Sequence, residues 1–279
     1  MLTPSIVQQD CAEATSSETS FTNTYFEHSY GMKNVTAGDA LVVFWAGPNT
    51  NTVASMTDNY GNTYTQVPGA AINDSNTGRG TDVWWAQNVA QVTDPTKEYA
   101  LTVNINGTAT ANQSVVIFEC NGINGASIVT STLSVDDNTG TNFSGPSLNG
   151  GSGAVYLSGL AGIFGDTVTV ASPWAIVQTP DIGGGGGGST EPNGGQAVAQ
   201  LTGSGTQQAT FTPQAASPSW FIGVVSGVAF VPSGSGGSHP TAGSYWSLQQ
   251  LMKQQARYVP PRPANTLRPI YNPVRLRKH

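Results

Sequence analysis

Few side chains in this chain are of types that make or break bonds. There are three histidines, His28, His239 and His279. His28 follows Glu27 after a strand-like run, His239 lies in a Gly/Ser-rich stretch, and His279 is the last residue. Neither a GxSxG elbow nor an HExxH helix is present to place a histidine beside a nucleophile or a metal. Glycosidase-type acid–base work needs two carboxyl groups on facing elements. Here Asp58 and the pair Asp136-Asp137 sit in Asn/Gly-rich turns, where a carboxylate caps backbone N–H groups. No stretch has the spacing of an EF-hand loop, and no CxxC offers a zinc site. Cys11 and Cys120 read as small buried hydrophobes with free thiols. The expectation is no catalytic residue, no cofactor and no metal.

Tryptophan is the better clue. Trp45, Trp84, Trp85, Trp174 and Trp220 fall in or beside strand-like runs. Neighbouring residues on a strand point to opposite faces. In a simple two-sheet structure, one of Trp84 and Trp85 enters the core and the other is left for a loop, a partner or a sugar. Both are therefore candidate glycan or interface contacts.

The elements that would position these groups are strands. Only 9% of the 279 residues are charged, against a usual share of about a quarter, while 38% are hydrophobic. The apolar residues come in short β-branched and aromatic runs parted by Gly, Asn, Thr and Ser. ALVVFWA (40–46) and SVVIFEC (114–120) are continuous, the mark of strands buried on both faces. YALTVNI (99–105) alternates, with Tyr99, Leu101, Val103 and Ile105 on one face. Residues 53–58 and 63–67, joined through Asn59-Tyr60-Gly61-Asn62, read as a hairpin. About a dozen strands, with no helical period and no legible internal repeat, predict an all-β fold. Its architecture is a large antiparallel β-sandwich or jelly roll over residues 1–232, with Val42, Phe44, Leu101, Val116, Phe118 and Val228 in the core. The six glycines at 183–188 read as an exposed loop; with no Lys-Ser/Thr after them they are not a phosphate cradle.

Charge is divided along the chain. All 16 acidic residues lie between Asp10 and Glu191, and seven of the 10 basic ones lie between Lys253 and Lys278. Residues 233–244 (SGSGGSHPTAGS) read as a flexible linker. Residues 245–257 have the spacing of a short amphipathic helix, with Tyr245, Leu248, Leu251 and Met252 on one side. Pro260 and Pro261 stop it, and residues 258–279 form a basic, proline-rich arm. Tyr245, Trp246, Leu248, Leu251, Met252, Arg257, Arg262, Leu267, Arg268, Ile270, Tyr271, Arg275 and Arg277 are the candidate docking residues. Mixed charge and apolar grips favour an acidic, partly apolar protein surface over nucleic acid, which the acidic body would repel. The opening MLTPSIVQQDCAEA lacks the basic and apolar regions of a signal peptide, and no run approaches a membrane span.

The motifs VTAGDALVVFWA (35–46), SMTDNYGNTYTQV (55–67), DVWWAQNV (82–89), SVVIFECNGI (114–123) and GVVSGVAFVP (223–232) carry a resemblance. Through them the body, about residues 5–231, resembles the β-sandwich domains of tailed-phage virion proteins and of some bacterial surface proteins. The resemblance implies a structural or adhesive module and supplies no catalytic residues. The resulting expectation is a virion decoration, neck or tail-associated protein. It would be made in the host cytoplasm, oligomeric within an assembly, and docked on other virion proteins through its arm. A glycan- or receptor-binding adhesion module is the alternative.

Overall fold

The computed structural model describes residues 4–14, 20–23, 35–75, 78–90, 99–106, 113–123, 128–135, 142–163, 167–178, 194–214 and 222–231. The chain divides into two units, Met1–Gly237 and Ser238–His279, with the break inside the expected linker. The expected helix at 245–257, the arm at 258–279, the glycine run and Trp220 lie outside the described residues. What is described is all-β, in antiparallel sheets without a helix. None of the described residues forms a helix long and apolar enough to cross a membrane.

The first half of the body holds β1 (Ser5–Ala14), β2 (Ser20–Asn23), β3 (Ala40–Pro48), β4 (Thr52–Asp58), β5 (Tyr64–Gln66), β6 (Ile72–Asp74), β7 (Arg79–Ala86), β8 (Leu101–Asn106) and β9 (Gln113–Asn121). Its larger sheet, A, runs β1-β9-β3-β7-β5, with β6 also on β7; its smaller sheet, B, runs β2-β8-β4. The second half holds β10 (Ile128–Val135), β11 (Phe143–Ser144), β12 (Leu148–Ile163), β13 (Thr167–Val170), β14 (Ala175–Gln178), β15 (Gly194–Gln207), β16 (Thr210–Gln214) and β17 (Ile222–Phe230). Sheet C runs β10-β17-β12-β15-β14 and sheet D runs β11-β16-β13.

The two halves have the same strand order. With β6 set aside, each strand of sheets A and B has a counterpart at the same place in C and D. The registers correspond along the regular parts of the strands, apart from shifts in β1–β9, β4–β8, β12–β15 and β14–β15 that the counterpart pairs lack. Leu41 faces Ala86 across β3 and β7 as Tyr156 faces Leu201 across β12 and β15. Ala40 faces Cys120 as Val155 faces Phe230. Gly38 and Gly153 then coincide, and both have the positive φ (90° and 76°) that glycine tolerates best. The repeat escaped the sequence reading because only isolated positions, such as Ala46-Gly47 and Ala161-Gly162, keep their residues.

The expectation of two packed sheets gives way to four. Leu41, Val43 and Trp45 of β3 share one core with Val53, Met56, Leu101 and Val103 of sheet B. Val42 and Phe44, on the other side of β3, share a second core with Val155, Leu157, Val228 and Phe230 of sheet C. Tyr156, Leu160 and Val225 share a third with Phe143, Val168 and Phe211 of sheet D. The central sheets are thus covered on both faces, which is why their strands have continuous apolar runs. Val42, Phe44, Leu101, Val116, Phe118 and Val228 are all fully buried, as expected. Sheet B has one polar side: Thr102 and Asn104 alternate with buried Leu101 and Val103.

Sheets A and C meet in a nearly two-fold manner. A Cβ added to Gly159 would lie 2.7 Å from Cδ1 of Phe44, and the registers make Gly159 the counterpart of Phe44. Ala46 and its counterpart Ala161 share a further cluster. Residues that meet their own counterparts mark the axis of an isologous contact. On one side, Thr81 on β7 reaches Ser226 on β17 (3.3 Å). On the other, Ser114 on β9 donates to Gln196 on β15 (2.9 Å).

The expected hairpin at 53–67 is a crossing instead. β4 pairs with β8 in sheet B, whereas β5 pairs with β7 in sheet A. Gly61 does supply a positive φ of 77°, but the turn carries the chain between layers.

Candidate functional site

Three buried polar groupings lie in the first half, each at the margin of the core between sheets A and B. The turn before β3 places Asp39, and β9 places Glu119, with 5% and 0% of their surface exposed. Glu119 faces Gln8 on β1 and Leu41 on β3 in register. Its Oε1 accepts a hydrogen bond from the backbone N–H of Thr36 (2.7 Å), and its Oε2 accepts one from Nε2 of Gln8. Asp39 Oδ2 is buried and meets no donor. Two carboxyl groups can hydrogen-bond to each other only when one of them holds a proton. Burial, then the bond to Glu119 and its charge, push Asp39 up from 3.8 to about 7.

The second grouping is built on Asp58 at the end of β4. Its Oδ1 accepts from the N–H groups of Tyr60 and Asn62 (3.0 Å each), and its Oδ2 from Asn62 Nδ2 (2.8 Å) and Tyr64 OH (2.9 Å). Tyr64 OH also bonds to Tyr99 OH, and Tyr60 stacks on Tyr99 at 6.0 Å. Burial foremost holds both buried phenols well above their usual range. Asp58 thus does the backbone capping read from its turn. The third grouping is Asp82, which accepts from Gln66 Nε2, Trp84 Nε1 and the Val83 N–H (2.8 Å each). Burial raises its pKa against these three donors.

Register shows what the second half puts in the same places. Glu119 corresponds to Ala229, Asp39 to Ala154 and Asp82 to Ala197. Leu101 faces Asp58 across β8 and β4; its counterpart Phe211 faces Val170 across β16 and β13. Trp174, one residue before β14, takes the place of Tyr64 and packs edge-on against Tyr156 at 6.3 Å. The architecture therefore forms without any of the three groupings.

The structure corrects the reading of Trp84 and Trp85. Only 9% and 5% of their surface is exposed, Trp84 in the A–B core and Trp85 in the A–C core. Both rings are covered because sheet A has a layer on each side, so neither offers a face to a glycan or partner. Trp45 and Trp174 are buried as well. All the candidate docking residues from Tyr245 to Arg277 lie outside the described residues. Cys11 and Cys120 are free thiols. Cys11 faces Val116 and Cys120 faces Ile6, so along β9 they stand four positions apart, roughly 13 Å, beyond disulfide reach. Burial, then Asp39 and Glu119, push the Cys120 thiol up, away from thiolate chemistry.

Asp39 and Glu119 were not among the residues singled out from sequence. The signal was there: a carboxylate inside the continuous apolar run SVVIFEC must be buried and needs a partner. Burial holds the Asp39 carboxyl well above the usual carboxylate range. Among the described residues, no group of three or more His, Cys, Asp or Glu side chains is placed to hold a metal. Compared with protein-family models, with curated proteins and with solved structures, the chain matches none.

Proposed function

We propose that this chain is a non-enzymatic structural protein of a tailed-phage particle, a decoration, neck or tail-associated component docked through residues 245–279. The observation that carries the reading is the partition of charge. The chain before Lys253 has 16 acidic and three basic residues, whereas residues 253–279 include seven basic residues and no acidic one. A segment of opposite sign, studded with apolar side chains and prolines, has the chemistry of an arm laid along an acidic protein groove, where Arg pairs bidentately with carboxylates.

The body fits the same role. We read each half as a jelly roll, because the pairings are nested: β1 with β9, β2 with β8 and β3 with β7, then β10 with β17, β11 with β16 and β12 with β15. Jelly rolls build viral capsids and also lectins, so the fold supports the reading without assigning it. Two such modules packed face to face make a stiff block whose described strands carry few charges.

The test is a chain truncated after Gly237. It is expected to keep the thermal unfolding of the full chain's body and to be missing from purified particles that incorporate the full chain. Incorporation of the truncated chain at equal copy number sinks the reading. Binding of the truncated body to host-surface glycans would move the assignment to an adhesion module, with contacts other than Trp84 and Trp85.

A further inference from the structure

We propose that β10 is a docking edge and that its occupant is β10 of a second copy of this chain, laid antiparallel so that sheet C runs on through a dimer. The inference uses the strands of the body and does not rest on arm docking.

A strand at the end of a sheet carries a row of N–H and C=O groups that a further strand can pair with. Folded proteins blunt such edges with short strands, charged residues, prolines or bulges. Among the described residues the four sheets end on nine strands: β1, β5 and β6; β2 and β4; β10 and β14; β11 and β13. Six of these are short. β11 has two residues, β5 and β6 have three, and β2, β13 and β14 have four. β4 is longer, but its register on β8 breaks between Val53 and Ser55, and it ends on Asp58. β1 is the longest of them, and its register on β9 breaks between Ile6 and Gln8. It also carries Asp10 and Glu13, and its Gln9 donates from Nε2 to the Val177 carbonyl of β14 (3.2 Å).

β10 has none of these protections. IVTSTLSV spans eight residues without a charge, a proline or a glycine, and five of the eight are β-branched. Its pairing with β17 runs unbroken from Ile128 on Phe230 to Val135 on Gly223. Among the described residues no strand pairs with its other edge. Its counterpart in the first half is β1, so the two halves treat the same edge in opposite ways. The fold accepts a guarded strand in this place, and the bare edge is a property of β10's own sequence.

The same comparison selects the occupant. A strand that lies along β10 must match eight residues without a bulge and bring no charge against an uncharged edge. Of the nine edge strands, β10 is the one that meets both conditions. β1 of another copy would bring its bulge, Asp10 and Glu13. Identical strands related by a two-fold axis perpendicular to the sheet run antiparallel. That axis keeps each face of the sheet on its own side, and residues that oppose each other share a face, so a residue near the middle of β10 meets itself. Ser131 and Thr132 are the two central positions. The joined sheet takes five strands from each copy. One strand edge buries little area, so the dimer dissociates on dilution and is favoured where copies are held close together.

The test is sedimentation equilibrium on the full chain up to about 100 μM, in low salt and in about 1 M salt. A reversible monomer–dimer equilibrium is expected in both. Ser131→Lys, which sits opposite Gly227 in register, sets two like charges near the axis and should weaken association by about tenfold or more, with the thermal unfolding of the dilute protein unchanged. Residues that meet themselves stand about 5 Å apart at Cα, within disulfide reach. Mild oxidation should therefore link copies through Ser131→Cys or Thr132→Cys, but not through Val7→Cys on β1 or in the parent. A chain that stays monomeric overturns the proposal. So does a dimer that Ser131→Lys leaves intact and neither central cysteine links, or one that Ser131→Lys leaves intact and salt dissolves, which is a dimer held by the basic arm. Growth past a dimer overturns it as well, because it requires edges that do not close on themselves.

Discussion

The two halves of the body reach the same arrangement of strands by different chemistry. The second half fills its inner core with Tyr156, Leu160, Trp174 and Phe211 and places alanines at 154, 197 and 229. The first half puts Asp39, Asp82 and Glu119 in those three places and surrounds its core with Tyr–Asp and Trp–Asp hydrogen bonds and the Gln8–Glu119 bond. The comparison separates what the architecture requires from what it only accommodates. It requires apolar residues of suitable volume on both faces of the central sheets, and the glycines that let layers approach. Buried charge is accommodated only where neighbouring donors or a proton satisfy it.

The largest effect should come where the halves meet. Phe44→Gly removes a ring that fits over Gly159 and should cost on the order of 4 kcal/mol or more. Because Phe44 and Gly159 are counterparts at the axis, adding Gly159→Phe to that variant should recover much of the loss. Gly159→Phe alone should be as damaging as the deletion. Chemical denaturation of the three variants measures this, and absence of recovery in the double variant breaks the two-fold reading of the interface.

Next is the pH dependence of whole-body stability. Asp39 is raised when folded, so unfolding releases its proton and stability declines as pH rises from about 4 to about 7. The full shift corresponds to roughly 4 kcal/mol, and water entry at this margin should leave about half of that. Asp39→Asn should gain about that amount at about pH 8 relative to the parent and little at about pH 4, as read by denaturant midpoints across pH. A parent protein whose stability rises steadily over this window contradicts the assignment.

Asp58 tests the second contrast. Asp58→Ala leaves the N–H groups of Tyr60 and Asn62 and the buried Tyr64 hydroxyl without their acceptor, and should cost on the order of 2–3 kcal/mol. Its counterpart change, Val170→Ala, removes only methyl groups at a partly exposed position and should cost about 1 kcal/mol. Equal costs would mean that Asp58 serves as a space-filler like Val170. The smallest effect is expected on the outer layer, where Thr102→Ala should stay within about 0.5 kcal/mol because its side chain supports no buried neighbour.

Part of the site was legible and part was not. Asp58 could be placed in a capped turn from Asp-Asn-Tyr-Gly-Asn, since an Asx cap and a positive-φ glycine are local matters. That the turn crosses between sheets depends on β8 and β7, which come later in the chain, and no local signal reports it. Trp84-Trp85 correctly announced side chains on both faces of β7. The error lay in supposing that one face was open, because the covering layer for Trp85 comes from β12 and β17, distant from it in sequence. The carboxyl pair was missed because Asp39 and Glu119 lie far apart in the chain, and only the β3–β9 register brings them together.

By itself, then, the sequence determined the strand content, the doubly buried character of β3 and β9, the one-sided burial of β8, the capped turn at Asp58 and the division of charge between body and arm. Each of these depends on periodicity, composition or a few adjacent residues. Only the tertiary structure decided that there are four sheets, that the second half repeats the strand order of the first, and that Phe44 lies over its own counterpart. It also decided that two acids come to share a buried site. Strand pairing joins residues by register across long loops, and register is set by the sum of many packing contacts over the whole body.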